Sequence, residues 1–128
     1  MDRLVARRWP MSRKDAIGRY GERVAERHLQ QQGMLVLDRN WRCDIGEIDL
    51  VARDGCTIVV CEVKARTGLG FGSGLEAVTW DKGRRLWRLA QRWVRENAEP
   101  TVRVRIDVVA VHRAFRGAAH VEHVRGAL

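Results

Sequence analysis

The sequence has no long apolar run. Nothing in its 128 residues approaches the roughly 20 consecutive apolar positions a membrane-spanning helix needs. The basic stretch Met1 to Arg13 is followed by no signal-like apolar segment. Secretion and membrane insertion are thereby argued against, and the cytoplasm is the expected compartment. Cysteine is scarce. Cys43, Cys56 and Cys61 are odd in number and contain no CxxC, so neither a disulfide framework nor a zinc site is expected. They read as free thiols in a reducing compartment, with Cys61 a small core residue in a strand. The histidines His28, His112, His120 and His123 show no metal-ligand spacing with the cysteines. Internal repeats are missing, and no Gly-Lys-Ser/Thr follows the glycine-rich stretch, which rules out a phosphate-cradling P-loop. Lysine is nearly missing too. Only Lys14, Lys64 and Lys82 occur among 24 basic residues, all the others being arginine. In such a background each lysine stands where chemistry excludes arginine, or where genome composition has simply not replaced it.

What is present is a core and a positive field. Hydrophobic residues make up 45% of the chain, enough for one domain to fold without staples. The net charge of +8 makes nucleic acid the default partner, with plain solubility the bland alternative. Residues 1–12 read as a basic arm and 13–128 as a single domain. Ser12 with Asp15 resembles an N-cap with an acid in the first turn. Ile17, Tyr20, Val24, Ala25, His28 and Leu29 then recur at helical spacing to Gly33, which predicts a helix over 13–32. Strands are expected at 34–38, 46–53 and 57–64, with Asp54-Gly55 as the hairpin turn joining the last two. Residues 68–74 hold four glycines and read as a mobile loop. Thr79 caps a second helix over 80–97, with Leu86, Leu89, Ala90, Trp93 and Val94 buried and arginines on its flank. Strands at 102–112 and 119–124 complete an α-β-β-β-α-β-β order: an α/β mixed sheet flanked by helices.

Alternation puts Glu47 and Asp49 on one face of the second strand, and Glu62 and Lys64 on one face of the third. A turn at Asp54-Gly55 pairs Arg53 with Cys56. Asp49 then lies opposite Val60, Glu47 opposite Glu62, and Asp49 and Glu62 become diagonal neighbours roughly 7–8 Å apart. Val59, Cys61 and Val63 point the other way, into the core. Carboxylates gathered this way repel one another unless they take up protons or a cation. A hard divalent ion, Mg²⁺ or Mn²⁺, suits an all-oxygen donor set. The competing reading is a solvated stripe of cross-strand salt bridges. It fits poorly with the apolar neighbours Val51 and Val60.

Asp49, then Glu62-Val63-Lys64, resembles the PD-(D/E)xK nuclease motif. From Ala16 to Leu128 the chain resembles the YraN-like family of small bacterial proteins. The matching stretches are Gly18 to Glu26, Arg39-Asn40, Gly46 to Leu50, Cys61 to Arg66, Ala77-Val78 with Lys82, Ala90, Ile106 to Val109 and the His123 region. The resemblance implies a restriction-endonuclease-like fold, with similarity to archaeal Holliday-junction resolvases. Glu22 matches their first-helix glutamate. A helical wheel independently sets Glu22 at the edge of the buried stripe and turns Glu26 to solvent. The sequence departs from the pattern at Ile48, Ile106 and Leu128, none of them a candidate ligand.

The expected activity is metal-dependent endonucleolysis, on DNA more than RNA. Asp49, Glu62 and Glu22 hold Mg²⁺ or Mn²⁺, with the Val63 carbonyl as a further ligand, and Lys64 serves the attacking water and the transition-state charge. Lys82, Arg84, Arg85, Arg88 and Arg66 are the expected nucleic-acid contacts. Trp9, Trp41 and Trp80 either stack on bases or pack in the protein. Asp107 is either an orienting residue of the site or a buried structural carboxylate. The alternative function is a non-catalytic nucleic-acid-binding module of the same fold. By analogy with junction resolvases, the active species is a homodimer.

Overall fold

A computed structural model describes residues 14–67 and 80–128. The basic arm, Ser12, Trp9, the glycine-rich segment and Thr79 lie outside the described residues. Helix α1 spans Ala16–Gln31, followed by strands β1 (Leu35–Cys43), β2 (Gly46–Asp54) and β3 (Thr57–Thr67). Helix α2 (Trp80–Asn97) leads to β4 (Arg103–Arg113) and β5 (His120–Val124). The strands form one sheet in the order β1-β2-β3-β4-β5, antiparallel except for the β3–β4 pair, which is parallel across the α2 crossover. This is the restriction-endonuclease-like architecture expected from the sequence. Among the described residues no helix is long and apolar enough to cross a membrane.

Helix α1 begins later than its pattern suggested, because Asp15 is the cap and not a first-turn acid. Its side chain accepts the Gly18 N–H at 2.8 Å. The helix ends as expected at Gly33, whose φ of 87° lets Met34 N–H reach the Leu29 carbonyl and Gly33 N–H the Gln30 carbonyl. Strand β1 runs five residues beyond the expected Asp38. Charged residues mask its alternation, and Asn40 interrupts it with a φ of 50°. The remaining elements agree with the sequence reading to within a few residues.

The β2–β3 register differs from the expected one by two residues. The turn is Gly55-Cys56, and Asp54 pairs with Thr57. A tight hairpin needs positive φ at its first turn position. Gly55 supplies it at 61° with no side chain to crowd the backbone. A slip of two preserves which face each residue takes, so it moves the carboxylates along the strands without turning them over.

Both faces of the sheet are buried, so β3 has no solvated face. Val59 and Cys61 pack with Leu50, Ala52 and Val109 under Ala25 and Leu29 of α1. On the other face Ile58 and Val60 pack with Trp41, Ile48, Val51 and Ile106 under Leu86, Leu89 and Trp93 of α2. Trp41 is thus a core residue, unavailable for stacking on a base, and Cys61 is buried, its thiol pushed far up in pKa by burial and the acids around it. The buried Asp38 accepts the Trp93 indole N–H at 2.9 Å, which ties β1 to α2 across that core.

Helix α1 lies unusually close to β3. A Cβ built at Gly21 would collide with the Ala65 side chain. Gly21→Ala should therefore lower stability by about 1–3 kcal/mol through overpacking, against the roughly 1 kcal/mol that alanine gains in helix propensity. Urea unfolding checks this. A variant more stable than wild type would show that α1 is free to lift.

Candidate metal and nucleic-acid site

The site sits where β2 and β3 part. Their ladder runs from Asp54–Thr57 to Leu50–Cys61 and stops. Asp49 is the next residue, facing Glu62. Its Oδ2 accepts the Val63 N–H at 2.8 Å, so a carboxylate takes over where the backbone pairing ends. Alternation breaks at the same point. Ile48 enters the core under α2 and Leu50 the core under α1, although strict alternation would give them one face. Asn40 in β1, by continuation of the Arg39–Leu50 and Trp41–Ile48 pairs, lies beside Asp49, and its left-handed backbone breaks β1 at the same level. The expectation that Glu47, Asp49, Glu62 and Lys64 share a single strand face is therefore corrected. They meet at a fork in the sheet, approached from both sides.

On the α1 side, Glu22 and Asp49 are both buried and share one cation, which is Lys14. The Lys14 ammonium donates to Glu22 Oε1 and, at 2.5 Å, to Asp49 Oδ1. Glu47 Oε1 lies 3.7 Å from the same nitrogen, while its Oε2 is buried with no hydrogen-bond partner. On the other side Glu62 pairs with Lys82, in the first turn of α2, at 2.8 Å. Lys64 follows Glu62 by two residues on β3, and its positive charge opposes protonation of Glu62. Burial, then the charge of Asp49, raises the Glu62 pKa. Burial also raises that of Glu22, with Lys14 pulling the other way. Lys14 itself is held well above the ordinary lysine value, because Asp49 and Glu22 outweigh its own burial.

A cleft of about 270 Å³ joins these groups, with Lys14, Glu22, Asp49, Glu62 and Val63 in its wall. As they stand, no three acidic, imidazole or thiol groups among the described residues close around one point. The expected trio Glu22, Asp49 and Glu62 is split, because Lys14 neutralises two members and Lys82 the third. Sequence reasoning missed Lys14 as a site residue, and it placed Glu47 near the acids without counting it among the ligands. The one signal for Lys14 was the rarity of lysine: Lys14 and Lys82 pair with acids of the cluster, and Lys64 acts on Glu62 through its charge.

The arginines expected to bind nucleic acid lie close by. Arg84, Arg85 and Arg88, all exposed, line a groove of about 430 Å³ with Asp44, Ile45 and Asp81, between the first turns of α2 and the β1–β2 turn. The Arg85 stem passes over Gly46. Arg66 is exposed near the end of β3. Trp80, the first residue of α2 and two before Lys82, is 78% exposed.

Glu26 lies apart from the site, paired with Arg39 at 2.6 Å, as the helical wheel indicated. Asp107 is a fully buried structural carboxylate. Its oxygens accept Arg105 Nε at 2.8 Å and the Gly126 N–H at 3.0 Å, and lie 2.8 Å from His123 Nε2. His123 in turn meets His28 at 3.0 Å, so the half-buried histidine of α1 is satisfied by β5.

The fork, its paired acids and the helix-borne glutamate lie within one contiguous homology region. Residues 21–111 match the model of the uncharacterised protein family UPF0102. The chain belongs to that family. This agrees with the YraN-like resemblance carried by its motifs. It is 60% identical over 116 residues to a UPF0102 protein of Beutenbergia cavernae, covering 91% of this chain and 98% of that one. A UPF0102 protein of Frankia alni is 55% identical over 117 residues, with the same coverage, and one of Streptomyces coelicolor 54% over 118, covering 91% of each chain.

Asp107 generates a pH prediction. Burial alone would raise its pKa, but the hydrogen bonds from His123, Arg105 and the Gly126 amide outweigh it and hold the carboxyl at about 2, against an ordinary 3.8. A depressed carboxyl stabilises the fold above its unfolded pKa, and that contribution is lost as pH falls through the folded value. Stability should thus drop by about 2 kcal/mol between roughly pH 4 and pH 2 on account of this group. Urea unfolding across that range should show a shallower acid limb in Asp107→Asn, which also loses stability at neutral pH. An unchanged limb would mean that these hydrogen bonds do not hold the carboxylate ionised.

Proposed function

We propose that this protein is a metal-dependent endonuclease that hydrolyses phosphodiester bonds in nucleic acid, DNA in preference to RNA. The observation that carries the reading is the fork. Asp49 is locked there by the Val63 amide, with buried Glu22 and half-buried Glu62 beside it in one cleft. Three features fit a divalent cation. The donors are all hard oxygens, the Glu47 Oε2 atom is buried without a partner, and a cation, the Lys14 ammonium, already stands between Glu22 and Asp49. Asp49, Glu62 and Glu22 would hold Mg²⁺ or Mn²⁺, helped by the Val63 carbonyl. The ion's chemistry there would be to polarise the phosphate and acidify a water.

The chain's own groups do the rest. The Val63 N–H fixes the Asp49 carboxylate and frees it from rotamer choice. The Lys64 ammonium, on the same side of β3 as Glu62, would orient the attacking water and steady the negative charge that builds at phosphorus. Lys82 would turn from Glu62 to a substrate phosphate, aided by its place in the first turn of α2. Arg84, Arg85, Arg88 and Arg66 would track the backbone without reading sequence. Trp80 would stack on an unpaired base beside the cut, which suits branched or single-stranded substrates.

One observation favours the other reading, a binding module without catalysis. Glu22, Asp49 and Glu62 each already have a lysine. A cleavage screen over duplex, flap, junction and single-stranded substrates with Mg²⁺ or Mn²⁺ separates the two. Asp49→Asn and Glu62→Gln should each reduce cleavage by at least about a hundredfold while binding persists or tightens, since the acids repel phosphate when no metal is present. Cleavage unchanged in Asp49→Asn would mean a contaminating nuclease. Tight binding with no cleavage by wild type would establish the binding module. Affinity should fall with salt at a slope of about −3 to −4 for four arginine–phosphate contacts. Trp80→Ala should weaken single-stranded binding by about 1–3 kcal/mol and spare duplex binding.

A further inference from the structure

We infer that Lys14 holds the place of the divalent cation: its ammonium and the ion are mutually exclusive occupants of the Glu22–Asp49 site, and Lys14 sets the affinity for the ion. The inference rests on the metal-dependent reading and extends it to a residue outside the nuclease motif. The geometry is that of an occupant. The ammonium donates to Glu22 Oε1 and Asp49 Oδ1 and has Glu47 Oε1 at 3.7 Å. A Mg²⁺ ion would sit about 2.0–2.1 Å from the same oxygens. No room remains there for a second cation, and like charges at that separation repel. Loading the ion therefore moves Lys14 away.

The lysine is seated by the fold. Asp15, the next residue, caps α1 and fixes the backbone. The Lys14 stem then runs along the first turn over Gly18, where a Cβ would meet Lys14 Cβ at 3.4 Å and Cδ at 3.8 Å. The side chain is 17% exposed, and its two carboxylates 10% each. Two buried carboxylates without a cation would be costly to fold around, and Lys14 removes that cost when metal is scarce. The exchange is one of charge as well as place. A single positive charge leaves and two arrive, so the loaded site carries one more positive charge toward a phosphate.

Mn²⁺ binding followed by electron paramagnetic resonance, on the full-length protein, tests this. Lys14→Met keeps the stem and removes the competitor, so it should bind Mn²⁺ about tenfold more tightly or better, as expected for losing charge-assisted hydrogen bonds to the competitor. Lys14→Arg keeps the charge and should not tighten. Equal or weaker Mn²⁺ binding by Lys14→Met would overturn the inference and leave the metal site standing. No Mn²⁺ bound by either protein would overturn the metal reading, and the inference with it. A wild-type measurement covers the case in which Lys14→Met does not fold. With three lysines, ε-carbon NMR gives three signals. Saturating Mg²⁺ should carry the Lys14 signal to the position of a solvated lysine. A Lys14 signal still in its ion-paired position at saturation would overturn the inference.

Discussion

The hydrogen bond from the Val63 amide to the Asp49 carboxylate sits where β2 and β3 stop pairing. Up to Leu50 and Cys61, β2 and β3 satisfy each other's backbone. Past that pair, Val63 N–H would be an orphaned donor in a largely buried setting, which is costly. A side-chain carboxylate covers it. The same bond ties an acid to the sheet, and its other oxygen is left to Lys14. Loss of strand pairing and creation of a fixed acidic group are thus one event. The paired break at Asn40 gives the neighbouring strand its own release at the same level. Without the fork, Asp49 would follow strict alternation into the apolar layer under α2.

The helices then make the fork a cleft. Gly21 brings α1 onto Ala65 closely enough for Glu22, one residue on, to enter the cleft. Glu26, one turn later, is left to Arg39 outside. From the other face α2 delivers Lys82 to Glu62, and its exposed Arg84, Arg85 and Arg88 follow on. The acids are therefore buried by helices whose outer surfaces are basic. In a chain of net charge +8, phosphate would be drawn toward the site although the cleft itself is acidic.

Much of this was legible in the sequence, for identifiable reasons. Helix α2 shows strong periodicity and was read with its observed bounds, 80–97. The order of elements along the chain followed from hairpin and periodicity signals. Asp49, Glu62 and Glu22 were singled out by alternation, a helical wheel and the family motif, and all three line the cleft. The misreadings are local and physical. The two-residue register shift arose because Asp54-Gly55 is a strong turn dipeptide, while Gly55-Cys56 forms the turn, with glycine in its first, positive-φ position. Sequence alternation also assumes an unbroken strand, and the fork breaks it. Asn40 in β1 carried no warning, because left-handed asparagine is seen in backbone angles and not in hydropathy. Glu47 was placed near the acids by parity, but nothing in the pattern marked one of its oxygens as buried and unpartnered.

Lys14 shows how a scarce residue can carry information that motifs do not. Arginine fills nearly every basic position here, so composition alone would have put arginine beside Glu22 and Asp49. The contact explains why it does not. A guanidinium is planar, spreads its charge over three nitrogens and prefers side-by-side pairing with one carboxylate. Glu22 and Asp49 come from a helix and a strand and present one oxygen each to a common point. A compact ammonium with three donors on a flexible stem suits that point, and its size resembles that of a small hydrated cation more than a fork of donors does. Lys82 likewise meets Glu62 through a single donor, from the first turn of α2. On the proposed reading, lysine suits the acidic cleft because a point charge can be exchanged for another point charge, while the arginines of the outer faces suit bidentate contact with phosphate.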